Sequence, residues 1–188
     1  MIYIVKDCMT QTRQDNIVVG RKNVELNQTG LLEAKKLAKQ LKDVKFDVIY
    51  CSPLVRCNQM ANIICPDQQV KYDDRITERG FGLLEGKEIL NLNNLPLWKI
   101  NHISRWNCEN LTDVRRRAVS FLKEKINYLK LIGKDKNILI ITHNAVISCF
   151  RAFLEGKPQD KLYNNYFIKN TQVLTYDVNT IKDLKEKD

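Results

Sequence analysis

The chain has no Cys-x-x-Cys pair, and its six cysteines, at 8, 51, 57, 65, 108 and 149, follow no metal-finger spacing. No apolar run approaches the ~20 residues that a membrane-spanning helix needs. Lys6 and Asp7 interrupt the N-terminal apolar run, so it does not read as a secretory signal. Internal repeats, low-complexity segments and linker-like stretches are lacking too. These absences favour a single domain over residues 1–188 with no membrane partner. They also favour a reduced, cytoplasmic setting in which cysteines act as small hydrophobes. Acids are in short supply: 22 Asp and Glu face 31 Lys and Arg, a formal net charge of +9. Such an excess suits nucleic acid, a membrane surface or an anionic ligand. The lysines are scattered, however, and no patch interleaves aromatic with basic residues, which disfavours a nucleic-acid partner. Nothing in the pattern specifies an oligomeric state.

What is present reads as α/β. With 188 residues, 28% charged and 44% hydrophobic, the chain can bury one sizeable core. IYIV (2–5) is a strand, and a helix opens at Thr29-Gly30 with Leu31, Ala34, Ala38 and Leu41 as its apolar stripe. FDVIYC (46–51) is a second strand. Ser52 and Pro53 read as N-cap and first residue of the next helix, striped by Leu54, Cys57, Ala61 and Ile64 and stopped by Pro66. QVKYD (69–73) is a short third strand. Residues 74–108, rich in glycine and broken by Pro96, predict an irregular excursion that covers the site. A long helix follows from Asn110 to Ile132, with Val114, Ala118, Phe121, Leu122, Ile126 and Leu129 facing inward and Gly133 as its stop. NILIIT (137–142) is a buried strand, a helix runs from Ala145 to Gly156 with Pro158 beyond, and QVLTYDV (172–178) is the last strand.

Ligands of open α/β sheets bind beyond the carboxyl ends of the strands. Three such ends carry polar groups here: Lys6-Asp7, Ser52 with Arg56 four residues on, and Thr142-His143. Arg56 falls in the first helical turn, where the macrodipole disfavours a cation but helix N–H groups welcome an anion. His143 sits between a buried strand and a helix, which puts it at the mouth. Glu78 beside Arg79 offers an acid/base carboxylate or a surface ion pair. His102 is assigned no role.

Six segments, in order, resemble the histidine phosphatase superfamily, in its phosphoglycerate-mutase-like branch. IYIVKDCMT is similar to its strand followed by Arg-His-Gly-Glu-Thr, and VGRKNVELNQTGLLEAKKLAKQL to its helix entry. DVIYCSPLVRCNQMANII is similar to its Ser-Pro-Leu-x-Arg segment, and RITERGFGLLEG to its Arg-Leu-x-Glu segment. CENLTDVRRRAVSFL is similar to its Gly-Glu-Ser…Asp-x-x-x-Arg, and ILIITHNAVI to its Thr-His-Gly-Gly-Val-Ile. The resemblance implies a three-layer α/β/α sandwich around a mostly parallel sheet. It implies a phosphate pocket in which one His carries the phosphoryl group, two arginines and a second His hold it, and a Glu moves the proton. Carried over, Arg56 is the second arginine, His143 the second histidine and Glu78 the proton carrier. Lys6 then stands for the first arginine, Asp7 for the nucleophilic His, Cys8 for Gly, Met9 for Glu, and Arg13 for an Asn that helps bind phosphate.

These departures shape the functional expectation. Lys6 still attracts phosphate without the bidentate fork of an arginine. Asp7 puts a carboxylate where phosphate would sit, and is expected to pair with Lys6, Arg56 or a protonated His143 of raised pKa. The leading reading is a pseudophosphatase that binds a phosphorylated small molecule through Lys6, Arg13, Arg56 and His143, without a cofactor or metal. The alternative is an active phosphomonoesterase of altered mechanism using Asp7, Glu78 and His143. An aspartyl-phosphate route would want a metal that nearby carboxylates do not offer. Cys8 and Arg13 are spaced Cys-x4-Arg, one short of a cysteine-phosphatase loop, and Asp7, Cys8 and His143 lack a fourth zinc ligand.

Overall fold

Strands β1 (Ile2–Lys6), β2 (Val48–Cys51), β3 (Val70–Tyr72), β4 (Ile138–Thr142) and β5 (Leu174–Tyr176) form one sheet in the order β3-β2-β4-β1-β5. The first four run parallel, and β5 pairs antiparallel with β1. The computed structural model describes residues 1–89, 106–133, 135–156 and 166–181. Its helices are α1 (Gln11–Gln14), α2 (Gln28–Leu41), α3 (Val55–Ile64), α4 (Leu111–Ile132) and α5 (Asn144–Leu154). Among the described residues no helix is long and apolar enough to cross a membrane.

Strand alternation sorts the apolar residues into two layers. Ile2, Ile4, Tyr50, Ile138 and Ile140 face α4 and α5, with Phe121, Phe150 and Val146 packed on them. Val5, Ile49, Cys51, Leu139 and Ile141 face α2 and α3, against Leu37, Met60 and Ala61. Every residue of β4 is buried, as a central parallel strand covered on both faces requires. The three-layer α/β expectation therefore holds.

Local expectations need adjustment. The buried stripe of α2 is Gly30, Ala34, Leu37 and Leu41, so Leu31 and Ala38 flank it. Gly30 is required there: a Cβ would lie 2.0 Å from the carbonyl oxygen of Met9, whose loop rests on the helix start. Helix α3 begins at Val55, not at Pro53, and Ser52 does not cap it. The N–H of Val55 instead donates to Asn23 Oδ1 at 2.8 Å. The single turn α1, capped by the Thr10 hydroxyl, was not anticipated. Of the irregular segment, 74–89 holds two 3-10 turns, Asp74–Ile76 and Gly82–Leu84, while 90–105 with Pro96 lies outside the described residues, as does Pro158. The six inward residues expected of α4 are all buried.

Phe121 joins α4 to the sheet and to α5, edge-on to Tyr50 at 5.4 Å and stacked with Phe150 at 6.2 Å. Phe121→Ala should cost about 3–5 kcal/mol in urea unfolding. A loss below about 1 kcal/mol would contradict this central placement.

Candidate functional site

Parallel register assembles the site. Lys6 lies opposite Thr142, and one residue further the Asp7 N–H donates to the Thr142 carbonyl at 2.8 Å. On the other side of β4, the Ser52 N–H donates to the Ile141 carbonyl at 2.9 Å. Asp7, His143 and Ser52 thus emerge side by side at the carboxyl edge of the sheet, all fully buried.

The Asp7 carboxylate is the centre. Its Oδ2 accepts Arg56 Nε at 2.6 Å and Arg13 Nη2 at 2.8 Å, and lies 3.1 Å from His143 Nδ1. Its Oδ1 is buried without a hydrogen-bond partner. Burial alone would raise the Asp7 pKa, but the charges of Arg13, His143 and Arg56 outweigh it and hold the carboxyl well below the usual range. Arg56, fully buried, also donates to the carbonyls of Gly20 and Lys22 at 2.9 and 3.0 Å. Gly20 makes that approach at φ +54, and a Cβ there would meet Glu85 Oε1 at 2.1 Å. Arg13 is 29% exposed, the most open of these groups.

His143 is the N-cap of α5, and its Nε2 lies 2.8 Å from Ser52 Oγ. Burial favours the neutral ring, but the Cys57 sulfur and the Asp7 carboxylate raise its pKa to about 9 against the opposing charge of Arg56. In its protonated form the ring would donate from Nδ1 to Asp7 and from Nε2 to Ser52, with Arg56 Nη2 also 3.2 Å from Nδ1. Hydroxyl, imidazole and carboxylate follow the order that activates a serine nucleophile. A ring whose pKa is raised is, however, a poor acceptor for the Ser52 proton. Here the array fixes the ring.

Lys6 makes its hydrogen bonds away from the Asp7 carboxylate. Its ammonium donates to the Asp7 carbonyl at 2.7 Å and to Asn170 Oδ1, and stays 3.8 Å from Asp7 Oδ1. Asn170 in turn donates to Glu33 Oε1 at 2.7 Å, and Glu33 Oε2 accepts the Met9 N–H at 2.8 Å. Burial lowers the Lys6 pKa, partly offset by the Asp7 charge.

Glu78 and Arg79 are both buried, so they are not a surface ion pair. Glu78 Oε1 accepts the N–H of Arg79 at 2.9 Å and of Ala145 at 3.2 Å, which seats the carboxylate on the positive end of α5 beside His143. Sequence reasoning missed the residue that holds this loop. Arg117 donates to the carbonyls of Arg75, Thr77 and Glu78 at 2.8, 2.6 and 3.1 Å while paired with Glu109. Its signal was the helical period: three after Val114 and four before Phe121, it lies against the inward stripe of α4.

The cysteines behind the site are not poised to react. Burial pushes the Cys8 thiol up to about 12 and Cys57 well above its ordinary value. Among the described residues, no three His, Cys, Asp or Glu side chains gather in a way that could hold a metal ion, and Asp7, Cys8 and His143 do not form such a set.

The charges set a pH window. A His pKa raised from 6.5 to about 9 contributes stability that is whole below pH 6.5 and lost as pH rises through 9. An Asp pKa lowered from 3.8 contributes stability that is whole above that value and lost on acidification. Unfolding free energy should be flat between these limits, then fall by on the order of 3 kcal/mol toward pH 9. Asp7→Asn should reduce the alkaline fall, and guanidinium titrations at several pH values test both; an unchanged alkaline limb in that variant contradicts the pairing.

The chain is 29% identical over 185 residues to a probable phosphatase of Schizosaccharomyces pombe, covering 94% of this chain and 86% of the relative. It is 25% identical over 172 residues to the adenosylcobalamin/alpha-ribazole phosphatase of Escherichia coli, covering 87% and 83% of the two chains. Its fold superposes on a mycobacterial glucosyl-3-phosphoglycerate phosphatase in complex with VO3, with a TM-score of 0.80 at 18% identity over 92% of this chain and 90% of that one. The family model described as histidine phosphatase superfamily (branch 1) matches residues 2–182, and the chain belongs to that superfamily.

Proposed function

We propose that this protein is a superfamily member that has lost phosphohistidine chemistry and keeps a phosphate-type pocket, used to bind a phosphorylated small molecule in a binding or regulatory role. One observation carries the reading: Arg13, Arg56 and His143 converge on a single oxygen of Asp7. By resemblance, Asp7 occupies the place of the nucleophilic His, so the cations that would grip a phosphoryl group grip a carboxylate of the chain itself. An ionised Asp7 also repels an incoming phosphate. At ~4 Å and an effective dielectric of ~20, each unit of like charge costs on the order of 4 kcal/mol.

A second reading has its own observation. Asp7 Oδ1 is unpartnered, and Glu78 lies beside the N-cap His143. A carboxylate nucleophile with Glu78 as proton carrier would use these groups in an active phosphomonoesterase.

Hydrolysis of an aryl phosphate, with and without Mg²⁺, separates the two. The first reading expects no turnover above background. It also expects Asp7→Asn to bind vanadate at least about tenfold more tightly than the unaltered chain, since one opposing charge is gone. Turnover that Asp7→Asn abolishes would establish the second reading instead. Restoration is the complementary test: Lys6→Arg, Asp7→His and Cys8→Gly together should create aryl phosphatase activity. Failure of that triple variant to bind vanadate would show that Arg56, Glu78 and His143 are not set for phosphate.

A further inference from the structure

The two oxygens of Asp7 are treated very unequally. Oδ2 faces three cationic donors, whereas Oδ1, equally buried, has no hydrogen-bond partner. Lys6 Nζ lies 3.8 Å from Oδ1, about 0.6 Å beyond hydrogen-bond reach. That ammonium has three N–H groups and commits two, to the Asp7 carbonyl and to Asn170. A spare buried donor thus faces an unpartnered buried acceptor across a short gap, and the bond between them is not made.

Closing the gap by a turn of the carboxylate toward Lys6 would withdraw it from Arg13, Arg56 and His143. We propose that the pocket takes its ligand by this exchange: a tetrahedral oxyanion, the phosphoryl group of a phosphomonoester or inorganic phosphate, replaces the Asp7 carboxylate on the three cations, and Lys6 receives the displaced carboxylate. Three arguments support it. The donors reach the site from α1, α3 and the N-cap of α5, and the planar Asp7 carboxylate presents all three with a single oxygen. A tetrahedral oxyanion offers several. Arg13 is partly exposed, so the ligand meets one of the three cations from solvent. Lys6 is itself held from behind by Asn170 and Glu33, so a receiving ammonium is already in place. The inference rests on the phosphate reading above and adds the role of Lys6, which becomes the seat of the chain's own carboxylate and not a phosphate ligand.

The test is calorimetric titration with inorganic phosphate of four chains: unaltered, Lys6→Met, Asp7→Asn and the double variant. Exchange predicts that Lys6→Met weakens phosphate binding about tenfold when Asp7 is present and clearly less when residue 7 is the neutral amide, a coupling that separate contacts would not show. Equal losses in both backgrounds would mean that Lys6 touches phosphate directly or only supports the fold, and would overturn the exchange. Phosphate binding by Asp7→Asn but not by the unaltered chain would overturn it too, leaving Asp7 as a fixed plug. If Asp7→Asn binds no phosphate, the phosphate reading itself fails. A measurement on the unaltered chain guards against misfolded variants: the ¹³C resonance of the Asp7 carboxyl should move on saturation with phosphate, and a stationary resonance overturns the exchange.

Discussion

Everything at the mouth of this sheet depends on β4 being paired in parallel on both sides. Parallel register fixes which residues leave the sheet together, and here it delivers Asp7, His143 and Ser52 from three neighbouring strands at one level. The pairing is stable because β4 is apolar on both faces, with each face covered by a helical layer. The same burial that stabilises the strands removes water from the polar groups at their ends, and those groups must then satisfy one another.

They do so around one charge. A lone ionised carboxylate at full burial would be severely unfavourable, and three cationic donors make Asp7 tolerable. The reverse also holds: Arg56 is a fully buried cation that needs an anion, and the neighbouring carboxylate raises the pKa of buried His143. In this chain the carboxylate of Asp7 serves both, and so Arg13, Arg56 and His143 are held around one side chain of the protein itself. Glu78 is kept by a separate device, the Arg117–Glu109 pair gripping the carbonyls of its loop.

Much of the site was legible because it sits where sequence patterns are strongest. The strands ending at Lys6 and Thr142 are short apolar runs, and the polar residue after each run has to lie at the mouth. Arg56 stood out as a cation in a first helical turn, and it is there. Legibility failed where one side chain had two plausible employers. Ser52 before Pro53 has the form of an N-cap, but its hydroxyl went to the imidazole of His143 and Asn23 took the helix N–H. The contact of the Lys6 ammonium with Asn170, 164 residues away, had no local signal. Arg117 lay within the basic run DVRRR, which looks like a solvated face until the helical phase is counted.

The amino-acid order by itself determined the alternation of strands and helices, the two faces of the sheet and the residues available at its carboxyl edge, because periodicity and capping act over a few residues. Only the tertiary structure decided how the charges pair. Whether Asp7 would face Lys6 or the three cations, whether His143 would carry a proton, and whether Glu78 would lie buried on α5 all depend on separations set by packing between distant segments. Electrostatic energy in a buried site changes by kilocalories over an ångström, and no local pattern encodes an ångström.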